Sequence, residues 1–161
     1  MTDHGACVRR ATIAGMAVTA MASLLALVGC AAPGLVTSSS CIDWVYFESP
    51  ADAAADAEAV VLGSITGQSG STSYEGMTAN VWTVEVDQWL KGEGDDTVDV
   101  VSLPRSCGDA DDSMKAFSPE DQVVVFLRST DDGWEGITPW QQVLPAEDGG
   151  YPAVWPDDLY D

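Results

Sequence analysis

The chain has 161 residues, 26 of them acidic and six basic, for a net charge of −20 at pH 7. So acidic a surface repels nucleic acid and anionic lipid headgroups, and it favours cations, basic proteins or plain solubility. The single histidine, His4, falls in an N-terminal segment with the marks of a removable signal, so the mature protein is denied a histidine-based triad, a histidine metal site and imidazole acid–base catalysis.

Arg9 and Arg10 precede a stretch, residues 11–29, that carries no charge, and small residues then lead into Cys30. That order is the order of a secretory signal. Leu27-Val28-Gly29-Cys30 reads as a bacterial lipobox, with an aliphatic residue three positions before the cysteine and a small residue beside it. Such a site must admit both the chain and a bulky diacylglyceryl thioether. Residues 1–29 are therefore expected to be a lipoprotein signal peptide, and Cys30 the acylated first residue of an extracytoplasmic protein held on the cell membrane. The alternative is an uncleaved membrane helix, for which the charge-free run is long enough. That reading leaves Gly29-Cys30 unexplained, and it too places the remaining chain outside the cytoplasm, because Arg9 and Arg10 stay inside. Two or more acyl chains make a stable anchor where one does not. Residues 30–40 are small and polar without a periodic pattern and read as a flexible tether.

With Asp3, Arg9 and Arg10 removed, four basic residues face 25 acidic ones, a net charge of −21. Cys7 is lost with the signal and Cys30 is modified, which leaves Cys41 and Cys107. Two such residues in an oxidising compartment usually pair, closing a loop that spans 66 positions and is worth on the order of 4 kcal/mol in the chain-entropy model. A metal pair or free thiols are the alternatives. The mature length suits one domain, with boundaries read at residues 41–146, and an acidic tail over residues 147–161.

Ser49-Pro50-Ala51-Asp52 is a helix start: Ser49 caps, Pro50 suits the first helical position and Asp52 complements the positive end of the dipole. The helix continues for about two turns. Residues 59–65 are a short β-branched apolar run and read as a buried strand. Residues 67–76 are Ser/Gly-rich and read as a loop. From Trp82 the residues alternate, placing Trp82, Val84, Val86 and Leu90 on one face and Thr83, Glu85 and Asp87 on the other, with Gln88 and Trp89 breaking the pattern at a bulge. Residues 91–96 turn the chain and residues 98–103 return it. Residues 104–117 read as a long acidic loop, and residues 122–127 as a central strand. Asp131-Asp132-Gly133 is a hairpin turn, and residues 136–144 read as a last strand that Pro139 confines to an edge or a bulge. Beyond Pro145 the chain is expected to be extended or weakly docked.

Five strands and one short N-terminal helix predict a mainly β fold whose antiparallel sheet closes on itself as a small barrel. Residues 41–144 resemble a netrin-like domain of the kind found in tissue inhibitors of metalloproteinases, an OB-fold barrel. The likeness is carried by Cys41, the short helix before Ala59-Val60-Val61-Leu62-Gly63, the strand ending Trp89-Leu90-Lys91-Gly92, the Cys107-Gly108 step and Val124-Val125-Phe126-Leu127. The resemblance implies a five-stranded OB-like barrel, a bond between Cys41 and Cys107, and use as a protein-binding module. It does not carry over inhibition. Those inhibitors chelate zinc through a free terminal cysteine, and Cys41 lies eleven positions beyond the acylated residue.

Asp109, Asp111 and Asp112 are close enough in one loop to ligate Ca²⁺, with Asp95-Asp96 or Asp131-Asp132 able to add oxygens. No EF-hand spacing is present, so solvated turns are the reading, with no metal and no cofactor expected. Neither a nucleophile elbow nor a phosphate-binding glycine loop occurs. Trp82 is expected in the core. Trp44, Tyr46 and Phe47 are expected to cover one barrel end, a binding patch being the alternative, and Trp134, Trp140 and Trp155 are left unassigned. The expectation is a monomeric, non-enzymatic lipoprotein, anchored to the membrane through Cys30, that binds a protein or another envelope component and no nucleic acid. The alternatives are a hydrolase working with carboxylates alone and a Ca²⁺-binding structural envelope protein.

Overall fold

The computed structural model describes residues 42–105 and 112–157. Within them the protein is mainly β, with one short α-helix, α1 (Pro50–Asp56). Ser49 is extended and its Oγ accepts from the Asp52 amide at 3.2 Å, while Pro50 occupies the first turn, where its missing N–H costs nothing. The last carbonyls of α1 have no partner within the helix. Lys91 satisfies two of them: its Nζ donates to the carbonyls of Ala54 and Ala55, each at 2.9 Å, and to that of the C-cap residue Ala57, a cation at the negative end of the helix.

Six strands follow: β1 (Ala59–Tyr74), β2 (Met77–Lys91), β3 (Thr97–Ser102), β4 (Val123–Thr130), β5 (Gly133–Gly136) and β6 (Val143–Pro145). A 3₁₀ turn, Ser113–Ala116, lies between β3 and β4, within the segment expected to be loop. β1 pairs with β2, β2 with β3, β3 with β5, β5 with β4, and β4 back with β1, so five strands pair in a ring. The ring is not wholly antiparallel as expected. Val100 and Val101 run parallel to Trp134 and Glu135, because the tight turn after Thr130 fixes the direction of β5 against β4 and leaves its other side to β3.

Two sequence expectations fail in β1 and β2. Residues 67–74 are strand rather than loop, paired with the first half of β2 at every position except Ser69, through a turn in which Glu75 and Gly76 have φ of 48° and 80°. Successive positive φ values match the right-handed twist of a hairpin, and they outweigh the weak strand preference of Ser and Gly. Leu90 does not share a face with Trp82 and Val86. Asp87 and Leu90 are skipped in the pairing with β1, and each extra residue inverts the phase. Trp89 therefore joins Trp82 and Val86 against one core cluster, and Leu90 packs against the other.

Those two clusters explain the apolar runs. Val61, Ile65, Val84, Val98, Val100, Val123, Val125 and Leu127 fill the ring. Val60, Leu62, Val124 and Phe126 point the other way, onto Phe47, Ala53, Ala54 and Ala57. The paired segments of β1 and β4 are thus covered on both faces, and a strand buried on both faces loses the alternation that marks a half-exposed one.

The expected strand over residues 136–144 is two pieces. β5 and β6 both pair with β4, and between them Ile137 N donates to Phe126 O at 3.3 Å while Phe126 N donates to Gln142 O at 2.9 Å. The chain thus leaves and rejoins the same neighbour, and residues 138–141 loop out. Pro139 lies in that excursion, where a ladder donor is not required. The tail is docked more firmly than expected: Tyr151 and Trp155 lie against Phe126 at centroid distances of 5.9 and 6.0 Å.

Candidate functional site

The Asp112 carboxylate is the centre of a half-buried polar network. Its Oδ2 accepts from Asn80 Nδ2 at 2.7 Å and Trp82 Nε1 at 2.8 Å, and its Oδ1 from Ser102 Oγ at 2.6 Å and Met114 N at 3.1 Å. A carboxylate offers about four lone-pair sites, and here all are filled. Asp112, one of the three aspartates weighed as Ca²⁺ ligands, instead fastens the end of its loop to β2 and β3. Among the described residues no cluster of metal-ligating side chains forms.

The network continues through a fully buried amide. Ser102 Oγ accepts from Gln142 Nε2 at 2.9 Å, Ser113 Oγ accepts from the same nitrogen at 2.8 Å, and Gln142 Oε1 accepts from Leu103 N at 3.1 Å. Gln142 is brought inside by the excursion between β5 and β6, and Gly136 makes room for it. A Cβ on Gly136 would meet Gln142 Oε1 at 2.0 Å. The neighbouring Gln141 is equally buried and acts as a short strand surrogate: its Oε1 accepts from Phe47 N at 2.8 Å and its Nε2 donates to Phe47 O at 2.9 Å. Sequence reasoning missed both glutamines. Their signal was two adjacent amides in an otherwise apolar run, a pattern that needs buried partners.

The segment expected to cover one end of a barrel divides its residues. Phe47 is buried, and Trp44 stacks on Tyr74 at 6.0 Å and 29°, whereas Val45 and Tyr46 are exposed. Trp155 Nε1 donates to Phe47 O at 2.9 Å, which draws the tail against this segment. Beside it, Ala51, Ala54, Val60, Leu90 and Tyr151 line an open groove of about 360 Å³. Trp82 packs on the core as expected. Trp134 lies against Trp89 at 5.8 Å, and the Arg105 guanidinium sits 5.7 Å from the ring centre of Trp140, within cation–π range.

Arg128 approaches Asp56 at 3.5 Å on the surface, where such pairs add little, and Lys91 is engaged by carbonyls. Burial raises the pKa of Glu135, with Arg128 pulling the other way. Burial also raises that of Tyr74, and Glu135 and Glu75 add to the shift. Hydrogen bonds from the Ser118 amide and hydroxyl hold Asp121 below the ordinary carboxylate range.

Cys30, Cys41, Cys107, Asp109 and Asp111 lie outside the described residues, as does the rest of the 106–111 stretch of the acidic loop. No described helix is long and apolar enough to cross a membrane. Comparison with protein-family models, with curated proteins and with solved structures finds no match to the chain.

Proposed function

We propose that the protein is a lipoprotein, acylated at Cys30 and held on the outer face of the cell membrane, whose domain is a non-enzymatic binding module for a protein or another envelope component. The observation that carries this reading is Leu27-Val28-Gly29-Cys30 at the end of a charge-free run that follows two arginines. The domain is read as an OB-like barrel. In support, the pairing ring β1-β2-β3-β5-β4 has the strand count of an OB-fold, a five-stranded and partly open barrel that serves chiefly as a binding scaffold. Pairing of Cys41 with Cys107 belongs to the same reading. Binding is favoured over catalysis because the mature chain has no imidazole and the carboxylate best held among the described residues, Asp112, spends its oxygens on structure.

The test is crosslinking on intact cells followed by affinity capture and mass spectrometry, with Cys30→Ala in parallel. The expected result is a mature terminus carrying two or more acyl chains, loss of membrane retention in the variant, and a specific partner with the wild type. An unmodified terminus removes the lipoprotein, and the absence of any partner above background removes the binding role.

A further inference from the structure

Among the described residues the exposed large apolar side chains are Val45, Tyr46, Tyr151 and Val154, with 64, 60, 37 and 72 % of their surfaces in solvent. They belong to two short segments that meet. Trp155 donates to the Phe47 carbonyl, and both Tyr151 and Trp155 rest on Phe126, so one pole of the domain gathers them. Both hydrogen-bonding groups of the Phe47 backbone are held by Gln141, which fixes the strap that presents Val45 and Tyr46.

We infer that this pole rests on the membrane that carries the anchor, with Val45, Tyr46 and Val154 at the headgroup level of zwitterionic phospholipid. The inference depends on the lipoprotein reading of Cys30. The occupant is identified by where the tethering chain arrives. Ile42 stands twelve positions after Cys30, a distance that spans at most about 40 Å even fully extended, and only three residues before Val45. The pole therefore includes the part of the domain nearest to the anchor along the chain, and tethering turns a contact too weak to form from solution into an intramolecular one. Tyrosine suits that depth, with an apolar ring and a polar tip. The mature charge of −21 opposes anionic headgroups and selects neutral ones.

The experiment uses the full acylated protein in phosphatidylcholine vesicles, with benzoylphenylalanine placed in turn at positions 46, 154 and 97. Thr97 is an exposed residue of β3, across the pairing ring from the β1–β4 pair. After irradiation, lipid adducts are expected at 46 and 154 several-fold above those at 97, in proteins whose melting temperatures match the wild type. Using two reporting positions keeps the test decisive where one substitution harms folding. Equal yields at all three positions, or none at 46 and 154, on a chain whose intact mass shows acylation, overturn the docked pole and leave the anchor standing. A chain without acyl groups overturns both. Replacing a third of the lipid by phosphatidylserine is expected to lower the yields at 46 and 154, and a rise there overturns the choice of a neutral surface.

Discussion

Replacing Gly63 by alanine is expected to destabilise the protein by about 3–5 kcal/mol, from overpacking at about 1–3 kcal/mol together with two or more weakened hydrogen bonds. An added Cβ would lie 2.0 Å from the Glu85 carbonyl oxygen and 3.2 Å from Val86 Cα. Both are backbone atoms, so no side chain can swing aside. Gly63 also pairs with Val123 on its other flank, and withdrawing β1 from β2 therefore presses it against β4. The strands must separate by on the order of 1 Å to restore an ordinary contact, which lies near 3.3 Å for carbon against oxygen. Typical domains have only about 5–15 kcal/mol to lose. The assay is urea unfolding of the mature chain followed by tryptophan fluorescence, with Gly67→Ala as the comparison. Gly67 lies in the same strand with nothing within 4 Å of its would-be Cβ, and its substitution is expected to change stability by less than about 1 kcal/mol. With m near 1–3 kcal/mol/M, Gly63→Ala moves the midpoint down by about 1–5 M. Equal midpoints for the two variants would refute the argument that β1 and β2 meet backbone to backbone at this residue.

Asp112→Asn keeps the size of the side chain but turns one acceptor into a donor facing Asn80 and Trp82, and a loss of about 2–4 kcal/mol is expected from unpaired, partly buried donors; a urea midpoint within error of the wild type would refute the role of this carboxylate. Gly136→Ala forces Gln142 out of its position and is expected to cost about 2–4 kcal/mol, with faster amide exchange at Leu103 as the specific sign that its acceptor has moved. For Glu135 the folded pKa is raised by burial, so its contribution to stability is complete below the ordinary value of 4.5 and is lost as pH rises through the folded value. Glu135→Gln is accordingly expected to exceed the wild type in melting temperature at neutral pH, with the gap closing under acid conditions; a gap that widens toward low pH contradicts the sign.

Local chemistry was readable from the sequence where neighbours along the chain decide the outcome. Ser49 and Pro50 begin a helix, Asp131-Asp132-Gly133 turns a hairpin, and the runs around Val61 and Val125 are buried strands. What escaped depends on partners far away in the chain. The strand character of residues 67–74 exists because β2 lies beside it, and the broken alternation at Gln88 and Trp89 signals a bulge without showing that the skipped residues are Asp87 and Leu90, which decides the side taken by Leu90. The Asp112 network is of the same kind: two of its donors, Asn80 and Trp82, are 32 and 30 residues away, so an aspartate in an acidic loop looks solvated until the fold brings an indole and an amide to it. Gln141 reaches 94 residues back to Phe47.

The bulges in β1 bear on how this chain behaves beside copies of itself. Among the described residues the strand from Gly67 to Tyr74 is paired with β2 on one flank only, and a flank of open backbone groups is a template for another chain to add to. Thr66 and Ser69 are the residues skipped in the ladder with β2, and their hydroxyls turn back to the Thr83 and Val81 carbonyls. Each skip bends the strand and breaks the even spacing that an incoming strand would have to match. The regular stretch that remains is Gly70 to Tyr74, and Trp44 lies against the ring at its end. Resistance to edge-to-edge aggregation is thus written into a Ser/Gly segment whose composition suggested only slack.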